Sequence, residues 1–389
     1  MDKINVAVFF GGSSPEHDIS ILTGIQAFHA FDTIKYNPFA VYITREGLLY
    51  IGDSLVDTKE YKDIDVLLAK SNLVQIEKTE EGIFLVSKKI LGTKRIKIDV
   101  AFLAFHGGIG EGGSFQGYCE TLDLPYTGSG VLGSALCMDK VSMKKILEAV
   151  NIPVSNYFVA HEHEYLLDPK SLIQRIEKNN TYPLFIKPSN GGSSIGISRA
   201  KNSKELELAL ELAFSFDPKV LIEQEFEHDA EVNISCLGLC NKSCQLSVTE
   251  EVYSDTEFLD FENKYLKGSK SKKIAAPSGS KGMASTSRRV PAQITDIMKQ
   301  QIETYAQQAF SALNCSGVAR LDFLVNKKTG SLVLIEVNTI PGSLAYYLWQ
   351  ATEKPFSNLI DDMIGLAFER QKEKTRHARK FTSHIFKNL

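Results

Sequence analysis

The sequence predicts a mixed α/β protein, α+β overall, built from more than one domain. Short β-branched and apolar runs alternate with stretches whose apolar residues recur at helical spacing. The chain has 389 residues, beyond the ~100 to 200 that one hydrophobic core usually serves. Its composition, 43% hydrophobic and 23% charged, is that of an ordinary globular chain.

Charge and cysteine content exclude several classes. Lys plus Arg number 44 against 47 Asp plus Glu, a formal net charge of -3, so a nucleic-acid partner is not expected. The first residues, MDKINVAVFF, carry an acid at Asp2 and only a short apolar run. No stretch approaches the ~18 apolar residues of a membrane span. Six cysteines are too sparse for a disulfide framework, and a cytoplasmic address is expected. Cys236, Cys240 and Cys244 recur at a spacing that matches no zinc motif. They read instead as small apolar residues in a hairpin turning at Asn241, Lys242 and Ser243.

Taken in order, residues 4–10 form a buried parallel strand ending at Gly11 and Gly12. A polar turn over 13–18 leads to a helix from Ile19, capped by a Ser or Asp. Residues 100–105 are a second buried strand, followed by a glycine-dense segment over 106–117. Residues 139–150 are helical, ended by Asn151, Ile152 and Pro153. A strand over 182–188 runs into the small-residue loop 189–196 and a further strand from Ile197. Helix 202–216, beginning with Ser203, and strand 220–222 follow. The polar stretch 250–289 holds many lysines and reads as a long functional loop. Pro291 opens a helix to about Leu313, with Ile294, Met298, Ile302, Tyr305, Ala309 and Leu313 on one face. Strands 318–325 and 332–337 flank a turn over 326–330. The basic tail 370–387 reads as a solvated helix end.

Three constellations carry chemistry. Alternate residues of a strand share a face, so Arg320 with Asp322, and Glu336 with Asn338, project together. If the strands pair antiparallel, Asp322, Glu336 and Asn338 become hard oxygen ligands for magnesium, with Arg320 beside developing phosphoryl charge. Charges alternating on an exposed hairpin are the other reading, weakened by the apolar flanks. Lys187 precedes a glycine-serine loop that lets backbone amides approach phosphates; the same loop alone could be a tight turn. Glu16 stands where a strand meets a helix and would suit an amino acid's ammonium, or could simply cap the helix. No GxGxxG dinucleotide fingerprint is present there.

The segments GGSSPEHDIS, HGGIGEGGSFQGYCETLDLPYTGSGVLGSALCMDK, FIKPSNGGSSIGIS, DFENKY, ARLDFLV and LIEVNTIPG occur in this order. Together they resemble the successive motifs of the D-alanine:D-alanine ligase family of the ATP-grasp superfamily. The resemblance implies a three-domain ATP-grasp ligase: an N-terminal α/β (pre-ATP-grasp) domain over 1–130, a central subdomain over 131–222 and a C-terminal subdomain over 223–389. A lid loop over 250–289 would close on the site and exclude water from an acyl phosphate. It implies ATP with Mg2+, or Mn2+, amino-acid substrates and a homodimer. Lys140, Lys187, Ser194, Glu223, Glu231 and Lys264 would bind ATP. Asp322, Glu336 and Asn338 would hold the metal. Glu16 would hold the first amino acid's ammonium and, with Ser193 and Tyr265, link the loops across the closed site. Arg320 and the Gly342 amide would receive the oxyanion.

The implied reaction joins D-alanine to D-alanine, or keeps the same activation step with another acceptor. The sequence departs from the family pattern after Gly342, where Ser343, Leu344 and Tyr347 stand in a shortened or rewritten segment. Together with His106, these residues would line a rebuilt second-substrate pocket. Leu259 and Phe261 replace frequent tyrosines, and Gly112 a frequent Asp. A nucleotide-binding protein without catalysis is the contrasting class, and would be expected to lose one of the charged positions that are all present here.

Overall fold

A computed structural model describes residues 2–89, 92–193, 195–253 and 287–376. It organises the chain around three sheets. The first contains β1 (Ile4–Gly11), β2 (Tyr36–Ile43), β3 (Leu49–Ile51), β4 (Asn72–Thr79), β5 (Gly82–Lys89), β6 (Gly92–Ile98) and β7 (Val100–Leu103), in the order β6-β5-β4-β3-β2-β1-β7. β1 runs parallel to β2 and β7 and is covered on both faces, which accounts for its unbroken apolar run. The helix His17–Ala30 follows it.

The second sheet holds β8 (Tyr157–His161), β9 (Leu184–Pro188), β10 (Ser198–Ala200) and β11 (Lys219–Gln224), all antiparallel in the order β10-β9-β11-β8. Helices Pro169–Asn179 and Ser203–Phe214 pack on it through Leu172, Ile176, Leu206 and Leu210. Asp168 and Asn202 cap them by accepting from the amides of Ser171 and Glu205.

The third sheet comprises β12 (Ala230–Leu239), β13 (Gln245–Leu246), β14 (Glu250–Tyr253), β15 (Ser287–Arg289), β16 (Ser316–Asn326) and β17 (Ser331–Asn338). Its order is β15-β14-β12-β16-β17, with β13 on β12. Cys236 pairs with Leu246 in register, as the hairpin reading required, and the cysteines are free thiols. Helix Asp296–Ala312 buries Met298, Ile302, Ala309 and Phe310 against this sheet.

Several elements differ from their sequence expectations. The first helix begins at His17 rather than Ile19, with Glu16 in the cap position but no side-chain cap bond. The Glu16 carboxylate is engaged elsewhere, by the Ser193 hydroxyl. The helix expected from Pro291 starts at Asp296, capped by Thr295. The intervening residues are not helical; Ala292 N–H donates to Thr249 O and Gln293 N–H to Glu251. The expected loop 250–289 begins and ends as the paired strands β14 and β15. Glu250 and Glu251 are buried there, against Arg288, Arg289 and Lys327. Residues 254–286, with Lys264 and Tyr265, lie outside the described residues, as does Ser194.

Two packing relations cross the chain. Helix Lys140–Ala149 places Met143 and Leu147 in the core of the third sheet, not the second. Helix Phe356–Arg376 packs Leu359, Met363 and Ile364 into the core of the first sheet. Arg370 therefore does not belong to a solvated helix end. Its guanidinium donates to the carbonyls of Gly128 and Tyr126 and sits 4.1 Å from the Tyr126 ring centroid. Replacing it by Met removes those charge-assisted bonds and the cation–π contact. We expect Arg370→Met to lower stability by about 2 kcal/mol in urea unfolding, with Arg370→Lys losing less; an unchanged midpoint in Arg370→Met would refute this contribution.

Candidate active site

The hairpin of β16 and β17 has the register that the metal reading needs. Arg320 faces Asn338 and Asp322 faces Glu336, with an irregularity just after Asp322. Arg320 Nε and Nη2 each donate to the Asp322 carboxylate at 2.7 Å, and Asn338 Nδ2 donates to Asp322 Oδ2 at 3.0 Å. Asp322 is buried between fully buried Leu321 and Phe323. An exposed hairpin of alternating surface charges is thereby ruled out. The Lys140 ammonium stands 4.0 Å from Glu336.

On the facing sheet, Lys187 of β9 and Glu223 of β11 form an ion pair. Their register places Lys187 beside Leu221, two residues before Glu223 and on the same face. Lys140 donates its N–H to Ser189 O and its ammonium to Gly191 O. These bonds hold the loop that follows β9. At its tip Ser193, with φ of 52°, turns its hydroxyl onto Glu16 from the first helix. A Cβ at Gly107 or Gly192 would come within 2.5 Å of Glu16 Oε2, so a larger residue at either position would push that carboxylate away.

Two cavities meet at this loop. A cleft of about 470 Å3 lies between the second and third sheets, lined by Lys140, Lys187, Glu223, Glu231, Phe226 and Leu324 among others. A smaller polar chamber of about 60 Å3 is walled by Glu16, His106, Glu111, Arg320, Asn338 and Gly342, among others. Lys140, Ser193 and Glu336 border both. The cleft has the volume and the mixed apolar and cationic lining of a nucleotide site.

Electrostatics divide these groups. Burial would raise the Glu223 pKa, but Lys187 and Lys144 together hold it well below the usual carboxylate range. Burial, and then the charge of Glu16, push Glu111 up to about 7. Glu111 accepts from the amides of Gly107 and Ile340 and thus ties the chamber's two sides together. Burial, reinforced by Arg320, pushes His106 down to about 4; its Nε2 pairs with Thr23 Oγ1 at 2.8 Å.

The segment after Gly342 is partly at odds with the expected pocket. Ser343, Leu344 and Ala345 all have left-handed backbone, with φ of 50°, 55° and 51°. The Ser343 N–H donates to Thr23 Oγ1. Leu344 is fully buried in the first sheet's core, so it does not line the chamber. The left-handed turn carries its side chain inward instead. Tyr347 donates to Glu250 Oε1 at 2.7 Å, and Arg288 stacks 4.8 Å from its ring centroid. It is part of the wall behind Arg320 rather than a lining group of either described cavity. Glu111, which the motif segment from His106 contains but to which no role was given, belongs to the site, as do Thr23, Lys144 and Ser155, which lie outside the motifs. Lys144 had a visible signal, since it follows Lys140 by one helical turn.

Two sheets clasping a lysine-lined cleft, with an acidic hairpin at one end, define an ATP-grasp ligase, and solved structures agree. The D-alanine-D-alanine ligase from Coxiella burnetii superposes with a TM-score of 0.77 at 26% identity, covering 97% of each chain. The VanG D-Ala:D-Ser ligase from Enterococcus faecalis gives 0.76 at 28% identity, covering 94% of this chain and 100% of that one. Residues 5–129 match the D-ala D-ala ligase N-terminus and residues 146–365 the D-ala D-ala ligase C-terminus. A D-alanine--D-alanine ligase of Thermosipho melanesiensis is 36% identical over 372 residues, covering 95% of both chains. The chain belongs to the D-alanine–D-alanine ligase family.

The His106 environment sets a pH test. Its folded pKa, about 4, lies below the ordinary 6.5, so the unfolded chain binds the proton first as pH falls. The stability of the neutral ring is present above pH 6.5 and lost as pH falls through 4. Relative to His106→Gln, the wild type should lose about 2 to 3 kcal/mol more between pH 7.5 and 4, measured by urea unfolding. Parallel losses in the two proteins would contradict it.

Proposed function

We propose that the protein joins two D-alanine molecules at the expense of ATP, forming D-alanyl-D-alanine as a peptidoglycan precursor. Family membership supports the reaction. The observation that carries it is the contiguity of a nucleotide-sized cleft with a small polar chamber, both bordered by Lys140, Ser193 and Glu336.

The division of labour in this reading follows from position. Lys140 and Lys187 meet the phosphates; Glu223 and Glu231 face the adenosine end of the cleft. Glu16, held by Ser193, receives the first amino acid's ammonium. The amino acid's own carboxylate oxygen attacks the terminal phosphorus, giving an acyl phosphate, and ADP leaves. The second amino group, after losing a proton, attacks the acyl carbon and expels phosphate. Arg320 and the Gly342 N–H are suited to take up the charge that develops on the carbonyl oxygen. In this reading Ser194 and Lys264 bind ATP and Tyr265 links the loops, as the family resemblance implies.

Asp322 and Glu336 oxygens, with the Asn338 amide oxygen, form a hard donor set that fits Mg2+, or Mn2+, and no soft ligand stands among them. Such an ion would neutralise phosphate charge during transfer. The proposal includes a cytoplasmic homodimer and domains over 1–130, 131–222 and 223–389. It includes no nucleic-acid or membrane partner; among the described residues no helix is long and apolar enough to cross a membrane. The left-handed turn at Ser343 to Ala345 favours one second reading, an acceptor other than D-alanine. The likeness to a D-Ala:D-Ser ligase adds to it.

Phosphate release tests the function. D-Alanine should stimulate ADP and phosphate formation, with a dimer identified by mass spectrometry. A mixed product in an acceptor screen would select the second reading. ATP binding without phosphate release for any D- or L-amino acid would leave only a non-catalytic nucleotide-binding protein.

A further inference from the structure

Beneath the nucleotide cleft lies a cation to which the chemistry above gives no task. Lys144 projects from the same face of helix Lys140–Ala149 as Lys140, one turn later. Lys140 reaches the cleft wall, whereas Lys144 is fully buried. Its ammonium lies 2.6 Å from Glu223 Oε1 and donates to Ser155 Oγ at 3.1 Å. Ser155 donates in turn to the same Oε1 at 2.7 Å. The other oxygen, Oε2, takes Lys187 from the cleft side. One buried carboxylate is therefore held by two ammonium groups, one fixed in the interior and one facing the cavity.

Burying an ammonium is costly, and an apolar side chain of similar length would fill the space without that cost. What Lys144 supplies is direction and counter-charge. A phosphate entering the cleft must draw Lys187 away from Glu223. With Lys144 and Ser155 on Oε1, the carboxylate is already half compensated, and its orientation does not depend on Lys187. Without them, Glu223 would hold Lys187 more strongly in a poorly screened interior, or rotate to follow it.

We propose that Lys144, assisted by Ser155, is a positioning residue for nucleotide binding: it anchors Glu223 through Oε1 and so frees Lys187 to pass from Oε2 to a phosphate. This rests on the nucleotide part of the function proposed above and is independent of which amino acids are joined. Both partners answer to the same environment. Burial lowers the Lys144 pKa, and Glu223 opposes that shift.

Lys144→Met, Lys144→Arg and Ser155→Ala, as full chains, test it by calorimetric binding of a non-hydrolysable ATP analogue and by steady-state kinetics. Lys144→Met should bind the analogue about tenfold more weakly and raise KM for ATP, while KM for the amino acid stays within about twofold. Lys144→Arg should recover most of the affinity, and Ser155→Ala should lose about threefold. Wild-type analogue affinity in folded Lys144→Met, or equal movement of both KM values, would overturn the proposal. If Lys144→Met does not fold, Ser155→Ala decides, and unchanged affinity there overturns it as well. Because binding is read without amino acids, a chain that binds ATP yet releases no phosphate would refute ligation and leave this inference standing.

Discussion

The register of one hairpin fixes the rest of the site. Asp322 opposite Glu336, and Arg320 opposite Asn338, put two carboxylates, an amide and a guanidinium on one face. A slip of one residue would send alternate members into the core. Burial of Leu321, Phe323 and Val325 opposes such a slip, and so does the turn, where Asn326 Oδ1 accepts from the amides of Lys328 and Thr329. The same face is then usable only because two other sheets bring cations and an acid toward it.

That assembly is governed by charge in poor solvent. Buried ionic groups persist only when each has partners, and here the partners come from different sheets. Glu111 bridges the Gly107 loop and the segment after β17. Ser193 bridges the central loop and Glu16. Glu223 collects Lys187 from its own sheet's face and Lys144 from the helix that packs on the third sheet. Each bond therefore does two things at once: it satisfies a buried or part-buried acid and it fixes one unit against another.

Much of this was legible from local pattern. The alternation of Arg320, Asp322, Glu336 and Asn338 needed only the two-residue period of a strand. The glycines around the loop 189–196 announced close backbone approach, which the contacts of Gly192 with Glu16 explain. Reading failed where a side chain's partner was remote. Glu16 could be read as a helix cap as readily as an ammonium ligand, because nothing local told that its carboxylate leaves the helix end and faces Ser193. Leu344 and Tyr347 looked like pocket residues because the left-handed turn that redirects them is held by Thr23, far away in sequence.

From the sequence by itself, strands β1, β7, β9, β16 and β17, several helices, the order of the motifs and the identity of the charged groups could be read from spacing along the chain and from side-chain chemistry, whereas β2 to β6 and β8 were not. Outside the hairpin of β16 and β17, tertiary structure decided which charges meet. The last helix lies on the first sheet and Arg370 grips Tyr126 and Gly128; Lys144 stands under Glu223. Such pairings are set by how three cores pack together, and the cost of an unpaired buried charge makes that packing selective, while composition and periodicity carry no information about it.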